Sequence, residues 1–281
     1  MKKHILSLLS FALLTSVSHA QNGMFPMDSI TNPSLSLVRV AAEVGAESEY
    51  VFRGQKFAGV SIQPKVEVAY PVAGFDLYAG AWANTPLSRN NANSFTEIDL
   101  YVGVNYQVSM VNIDLGYIYY WFTDTHPFGT MDRNQEVYVG VTFDTASFLG
   151  GININPSIYY FYDWNKEQHT VEASIGYDTP IGEFAFGESW GALTFPIRAF
   201  AGYINSEKPF GDHFPTFVKS NEYAYMGVTA DIAYAITEFC RISVGIRYSY
   251  SNSDSAWYSV IGNTHNDKHN LWWGAKVAFG F

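Results

Sequence analysis

The sequence predicts an all-β protein, a single transmembrane antiparallel β-barrel of about 12 strands. Three observations lead there. Apolar and polar residues alternate with a period of two through segment after segment, which marks strands with one apolar and one polar face. The charged residues of these segments fall on one face, with Glu222, at the margin of its strand, as the exception. The connections alternate between short and long, and aromatic residues gather at both ends of the apolar faces, as they do at the two interfaces of a membrane. A secreted β-sandwich or a lipocalin-like binder would also keep charge off one face, but has no reason to segregate its aromatics in this way.

Composition points the same way. Of 281 residues, 17 % are aromatic and only 15 % charged, against about 25 % charged in an ordinary soluble domain. Residues 1–20 read as a secretory signal. Lys2 and Lys3 give the basic start, residues 5–14 the apolar centre, and Ser18-His19-Ala20 a small-x-small cleavage site that starts the mature chain at Gln21. The apolar centre is too short to span a bilayer as a helix. The only cysteine, Cys240, has no internal partner and lies far from the cleavage site, which argues against a lipid anchor. The net charge of −10 becomes more acidic once Lys2 and Lys3 are removed, and excludes nucleic acid as a natural partner. Residues 21–37, with Pro26, Asn32 and Pro33 and no periodicity, read as a periplasmic lead-in to a barrel over 38–281.

Strands follow in order. The first is expected over 39–53, with Val40, Ala42, Val44, Ala46, Tyr50 and Phe52 on its apolar face. The second, 61–70, alternates Ile62, Val66, Val68 and Tyr70 with Ser61, Gln63, Lys65 and Glu67, and Pro64 loosens its register. A tight turn at 71–74 leads to the third, 75–84. A polar loop precedes the fourth, 96–108, and a short turn at Ser109-Met110 joins it to the fifth, 111–123. The sixth is 134–143, the seventh 152–164 and the eighth 169–177. After a longer connection at 178–191 come the ninth, 192–204, the tenth, 221–234, the eleventh, 239–250, and the last, 268–281. An even strand number puts both termini on the periplasmic side, and pairing the last strand with the first removes both sheet edges. The strands that run toward that side end in Tyr70, Tyr106, Phe143, Tyr177, Tyr234 and Phe281.

Two stretches carry resemblances. Glu49-Tyr50-Val51-Phe52-Arg53-Gly54 resembles the first-strand signature of a conserved family of bacterial outer-membrane proteins, Gcw_chp, and the following strand and the stretch 74–82 look similar as well. The resemblance covers roughly the first third of the chain. It implies a barrel in the outer membrane and says little about substrate. The final stretch, ending Val277-Ala278-Phe279-Gly280-Phe281, resembles the terminal strand of outer-membrane barrels, with Phe279 and Phe281 as the signal read by the barrel-assembly machinery. That machinery and outer-membrane lipids are the partners implied.

The opposite faces of the strands give the lumen. Acids expected there are Glu43, Glu47, Glu49, Glu67, Asp76, Glu97, Asp99, Asp114 and Glu136. Bases are Arg39, Arg53, Lys65, Arg198, Arg241, Arg247, Lys268 and Lys276. The acids come from the first half of the barrel and most of the bases from the second, an arrangement that would set a field across the pore. This points to a passive porin-like channel for small hydrophilic solutes, with no cofactor, metal or catalytic residue. The alternative is a plugged barrel with a structural or adhesive role, its interior filled by paired ions. Interior aromatics such as Tyr78, Trp82, Tyr101, Tyr120, Phe161 and Trp272 either fill space or stack sugar rings. A hydrolase is the least expected. His169 and His269 lie near the outer rim with no His-x-Ser pair beside them, and His126, His213 and His265 stand near Asp124, Asp212 and Asp267 in outer loops without specific spacing.

Overall fold

A computed structural model describes residues 38–87, 96–123, 133–181, 192–207, 222–252 and 268–281. The signal at 1–20, the lead-in at 21–37 and the loop residues His126, His213, His265, Asp124, Asp212 and Asp267 lie outside them. Among the described residues every regular element is a strand. In chain order they are β1 (Arg39–Glu47), β2 (Tyr50–Phe52), β3 (Gln55–Ala58), β4 (Ser61–Val72), β5 (Phe75–Pro86), β6 (Glu97–Val108) and β7 (Val111–Phe122). β8 (Arg133–Phe143), β9 (Ser157–Asp163), β10 (Gln168–Pro180), β11 (Leu193–Ser206), β12 (Glu222–Thr237), β13 (Cys240–Ser251) and β14 (His269–Gly280) follow. All except β2 and β3 form one closed antiparallel barrel, in which each strand pairs with its neighbours in sequence. β1 closes the ring by pairing with β4 on one side and β14 on the other.

Closure answers the edge problem: no barrel strand is left with an unpaired row of donors and acceptors. The connections at 73–74, 109–110, 144–156, 181–192 and 238–239 mark one end, here the turn end, which also holds Phe281. The other end, the loop end, carries the remaining connections. Along the barrel strands one face is turned to the interior and the other outward. Val44, Val66, Leu77, Val102, Leu115, Val139, Ile175, Val244 and Ile246 belong to a continuous apolar outer belt. A belt of this kind is far larger than any patch a monomer shows to water. It matches the lipid-facing band of a transmembrane barrel.

The interior is tyrosine-rich, and its packing follows from register. Gly80 stands opposite Tyr101 and Gly103 opposite Tyr78. Gly116 stands opposite Tyr138, Gly140 opposite Tyr159, and Gly202 and Gly227 opposite Tyr225 and Phe200. Each ring lies flat over the glycine facing it, where a Cβ would collide with ring atoms. The small residue lets a large ring lie along the wall instead of standing upright across the lumen.

Two expected strands are corrected. The first ends at Glu47, not at residue 53. The chain bends at Ser48-Glu49 and turns inward, so Tyr50 and Phe52 leave the lipid face and enter the barrel. Alternation stays in phase across the bend, so a period of two does not reveal it. The missed signal is Arg53-Gly54, a two-residue turn flanked by alternating residues, with φ of 48° and 77°. The seventh strand starts at Ser157, not 152. Thr145 and Asn153 take up the local backbone: Thr145 Oγ1 accepts from Ile154 N (2.9 Å), and Asn153 Oδ1 accepts from Thr145 N (3.0 Å) and Asn155 N (3.1 Å). Side-chain bonds of this kind compete with a strand ladder.

Candidate functional site in the barrel interior

The inward hairpin of β2 and β3 organises the loop-end half of the lumen. It leaves the wall between β1 and β4 and reaches the far side. The Tyr50 ring lies 5.4 Å from that of Trp82 on β5, and Phe52 lies 6.5 Å from Tyr120 on β7. Arg53 at the tip donates to both carboxylate oxygens of Glu136 on β8, at 2.7 and 2.9 Å. Its guanidinium also sits 4.8 Å from the Phe52 ring centre and 4.9 Å from that of Phe161 on β9. Tyr120 donates to Glu136 as well, at 2.8 Å. Gly54 presses against Tyr225 on β12 and Ser251 on β13, leaving no room for a Cβ. Its carbonyl accepts from Asn270 of β14 at 3.4 Å.

Arg53 and Glu136 are 5 % and 2 % exposed, so the pair is fully withdrawn from water. A two-toothed Arg–carboxylate contact with a third donor on the acid is the geometry that offsets the desolvation of both charges. Burial, reinforced by Glu97 and Asp99, holds the Tyr50 phenol well above its ordinary pKa, so it acts as a neutral donor to Glu97. In the turn at 164–167, burial pulls the Lys166 ammonium below its ordinary value against the attraction of Asp163 and Glu136.

The rest of the lumen carries local ion pairs. Arg39 meets Asp76 at 2.6 Å, Lys276 meets Glu43 at 3.7 Å, and Lys65 meets Glu67 at 3.8 Å. Arg247 bridges Glu47 (3.3 Å) and Asp231 (3.0 Å). Arg198 meets Glu172 at 3.6 Å, and Arg241 meets Asp178 at 3.3 Å while donating to Thr194 at 2.7 Å. Tyrosines serve two further acids: Glu67 accepts from Tyr101 at 2.8 Å, and Asp114 from Tyr78 (2.6 Å) and Tyr159 (3.1 Å). Glu97 and Asp99 lie buried side by side on β6. Glu49 pairs with Lys56 at the base of the hairpin. Lys268 is exposed just before β14.

This pattern differs from two opposed arcs of charge. Asp163, Glu172, Asp178 and Asp231, which the sequence reading passed over, also point inward and neutralise cations of the later strands. The period of two that picked out Arg198 and Arg241 picks these out as well. The interior aromatics Tyr78, Trp82, Tyr101, Tyr120, Phe161 and Trp272 are all buried. Among the described residues no group of His, Cys, Asp and Glu is arranged to hold a metal ion. At the outer rim His169 bonds Tyr160 and His269 bonds Tyr248. Phe279 faces outward, and Phe281 exchanges backbone hydrogen bonds with Val40 while stacking on Phe239.

Comparison with known proteins gives a family. No curated protein matches the chain. Among solved structures, the NanC porin aligns at 12 % identity over 86 % of this chain and 98 % of its own, with a TM-score of 0.46. The KdgM porin aligns at 8 % identity over 86 % and 99 %, with a TM-score of 0.47. LpxR from Salmonella typhimurium aligns at 9 % identity over 86 % and 99 %, also at 0.47. The family model described as a bacterial protein of unknown function (Gcw_chp) matches residues 32–194, more than half of the chain, and the chain belongs to that family.

Proposed function

We propose that this is an outer-membrane barrel, delivered by its secretory signal, that works as a narrow, passive, porin-like channel for small hydrophilic solutes. The hairpin of β2 and β3 is its constriction. The observation that carries this reading is the uneven wetting of a charged interior. The pairs nearest the turn end, Arg39–Asp76, Arg241–Asp178 and Lys276–Glu43, keep partial access to solvent, while the loop-end half is narrowed by the hairpin. Ionised side chains at membrane depth persist where water or countercharge reaches them, and they mark solute paths. A solute moving through would exchange part of its hydration shell for these fixed donors and acceptors. The rim histidines are paired with phenols and not with a nucleophile, which supports a non-enzymatic reading.

A plugged structural barrel is the second reading, and the burial of Arg53 against Glu136 favours it. Planar-bilayer recording separates the two. The intact protein and a variant with residues 50–58 replaced by a short turn are compared. Discrete steps from the intact protein, enlarged in the variant, are expected for a channel with this constriction. Steps from the variant alone would move the assignment to a closed barrel, and background current from both would remove the channel.

A further inference from the structure

The outer rim carries a repeated construction that a channel does not need. On four successive hairpins of the barrel, a tyrosine on the strand running toward the loop end reaches diagonally to a polar side chain on the next strand. Tyr117 donates to Gln135 Oε1 at 2.8 Å. Tyr160 bonds His169 Nδ1 at 2.6 Å. Tyr203 donates to Glu222. Tyr248 bonds His269 Nδ1 at 2.7 Å. The register is the same each time: the polar residue stands opposite the position two beyond the tyrosine, at 119, 162, 205 and 250. Diagonal neighbours of this kind are within reach of long side chains. At the two histidines the cradle is doubled, because Tyr162 and Tyr250 also lie against the imidazole, each with ring centres 5.0 Å away.

We propose that His169 and His269 are two lipid-headgroup sites, each of which binds a phosphate of a membrane lipid at the loop-end interface. The inference rests on the barrel spanning a membrane and not on its conducting. Position comes first. Both rings are on the outward face, at the boundary where the apolar belt (Val171 and Ile175 below one, Leu271 and Trp273 below the other) gives way to loops. That is the depth of headgroups. Hydrogen bonding comes second. At Glu222 the carboxylate can only accept, so the phenol is the donor there, and the same diagonal repeats at the histidines. With the phenol donating, Nδ1 accepts and the ring proton sits on Nε2. Among the described residues neither Nε2 has a bond. Each ring therefore presents a fixed N–H donor outward at headgroup depth, beside the phenols Tyr160 and Tyr248, whose hydroxyls are already bonded. A phosphate oxygen is the acceptor that a lipid offers there, and the flanking tyrosine rings pack against the glycerol and the start of the acyl chains.

Binding in a phosphate-free detergent tests this with the full chain. Phosphatidic acid and a diacylglycerol with the same tails are titrated separately, and retained lipid is counted by native mass spectrometry. Phosphatidic acid should be retained, one molecule at each histidine, and the diacylglycerol should not. H169F/H269F should weaken retention roughly tenfold, the usual scale for a hydrogen bond to a charged group. H169Q/H269Q, which restores an outward N–H, should recover part of it. Heat-modifiable migration of each variant checks that the barrel has folded, and bilayer conductance should be unchanged by either. Equal retention of the two lipids, or undiminished retention by H169F/H269F, would overturn the assignment. So would displacement by inorganic phosphate alone, which would make the histidines a site for soluble anions.

Discussion

Glu136 is shared by two donors that come from different parts of the molecule, Arg53 on the hairpin and Tyr120 on the wall. Replacing Arg53 by alanine leaves the carboxylate buried with only the phenol. Removing one member of a buried pair costs about 3–5 kcal/mol, and a lower denaturant midpoint for Arg53→Ala in detergent would register it. The double variant R53M/E136L should lose less than either single change, because no uncompensated charge remains. The glycines under the interior rings allow a second test. At Gly116 a methyl group meets the Tyr138 ring, whereas at Gly45 the nearest atom is 3.6 Å away, an ordinary contact. Gly116→Ala should destabilise by about 1–3 kcal/mol, the scale of overpacking, and Gly45→Ala should be neutral or slightly stabilising. Equal unfolding midpoints for these two variants would contradict the ring-over-glycine account.

At the level of elements, β14 and the β2–β3 hairpin do different work. β14 is the closing strand, and Phe281, just after it, trades both backbone bonds with Val40 of β1. Deleting Phe281 should reduce the fraction of protein that reaches a heat-modifiable, membrane-inserted form, while molecules that do insert keep wild-type conductance. The strands from β4 onward were legible in the sequence because each has one face against lipid and one against a polar interior, and that contrast is what a period of two measures. The hairpin was not legible as such. Tyr50 and Phe52 continue the alternation of β1 while exchanging a lipid environment for an aromatic interior, and hydrophobicity does not distinguish the two. The ion pairs were legible as a set of inward residues but not as partners. Whether Arg241 meets Asp178 depends on strands that are not neighbours in sequence, and which glycine lies beneath which ring depends on the register of neighbouring strands.

For the molecule as a whole, the inward acids outnumber the inward bases: Glu97 and Asp114 lie in the lumen with tyrosines, not cations, as hydrogen-bond partners, and Asp99 shares a hydrogen bond with Glu97. A conducting barrel with this interior should prefer cations, and the reversal potential in a potassium chloride gradient measures it. Arg241→Gln, at a pair that keeps some solvent access, should increase the preference. A potential insensitive to that change would place the selective region elsewhere. The hairpin also bears on how such a barrel comes into being. Its tip is held by Glu136, 83 residues further along, and by Asn270, 216 residues further along. The first loop to be synthesised is thus touched by the last strand to arrive. Contacts from the tip to both β8 and β14 favour an order in which β14 meets β1 around a form already lying inside. The hairpin then acts as a mandrel, and its fit sets how fast the seam zips. Arg53→Ala should therefore slow refolding into micelles as well as weaken the product, with the heat-modifiable band appearing later in the time course.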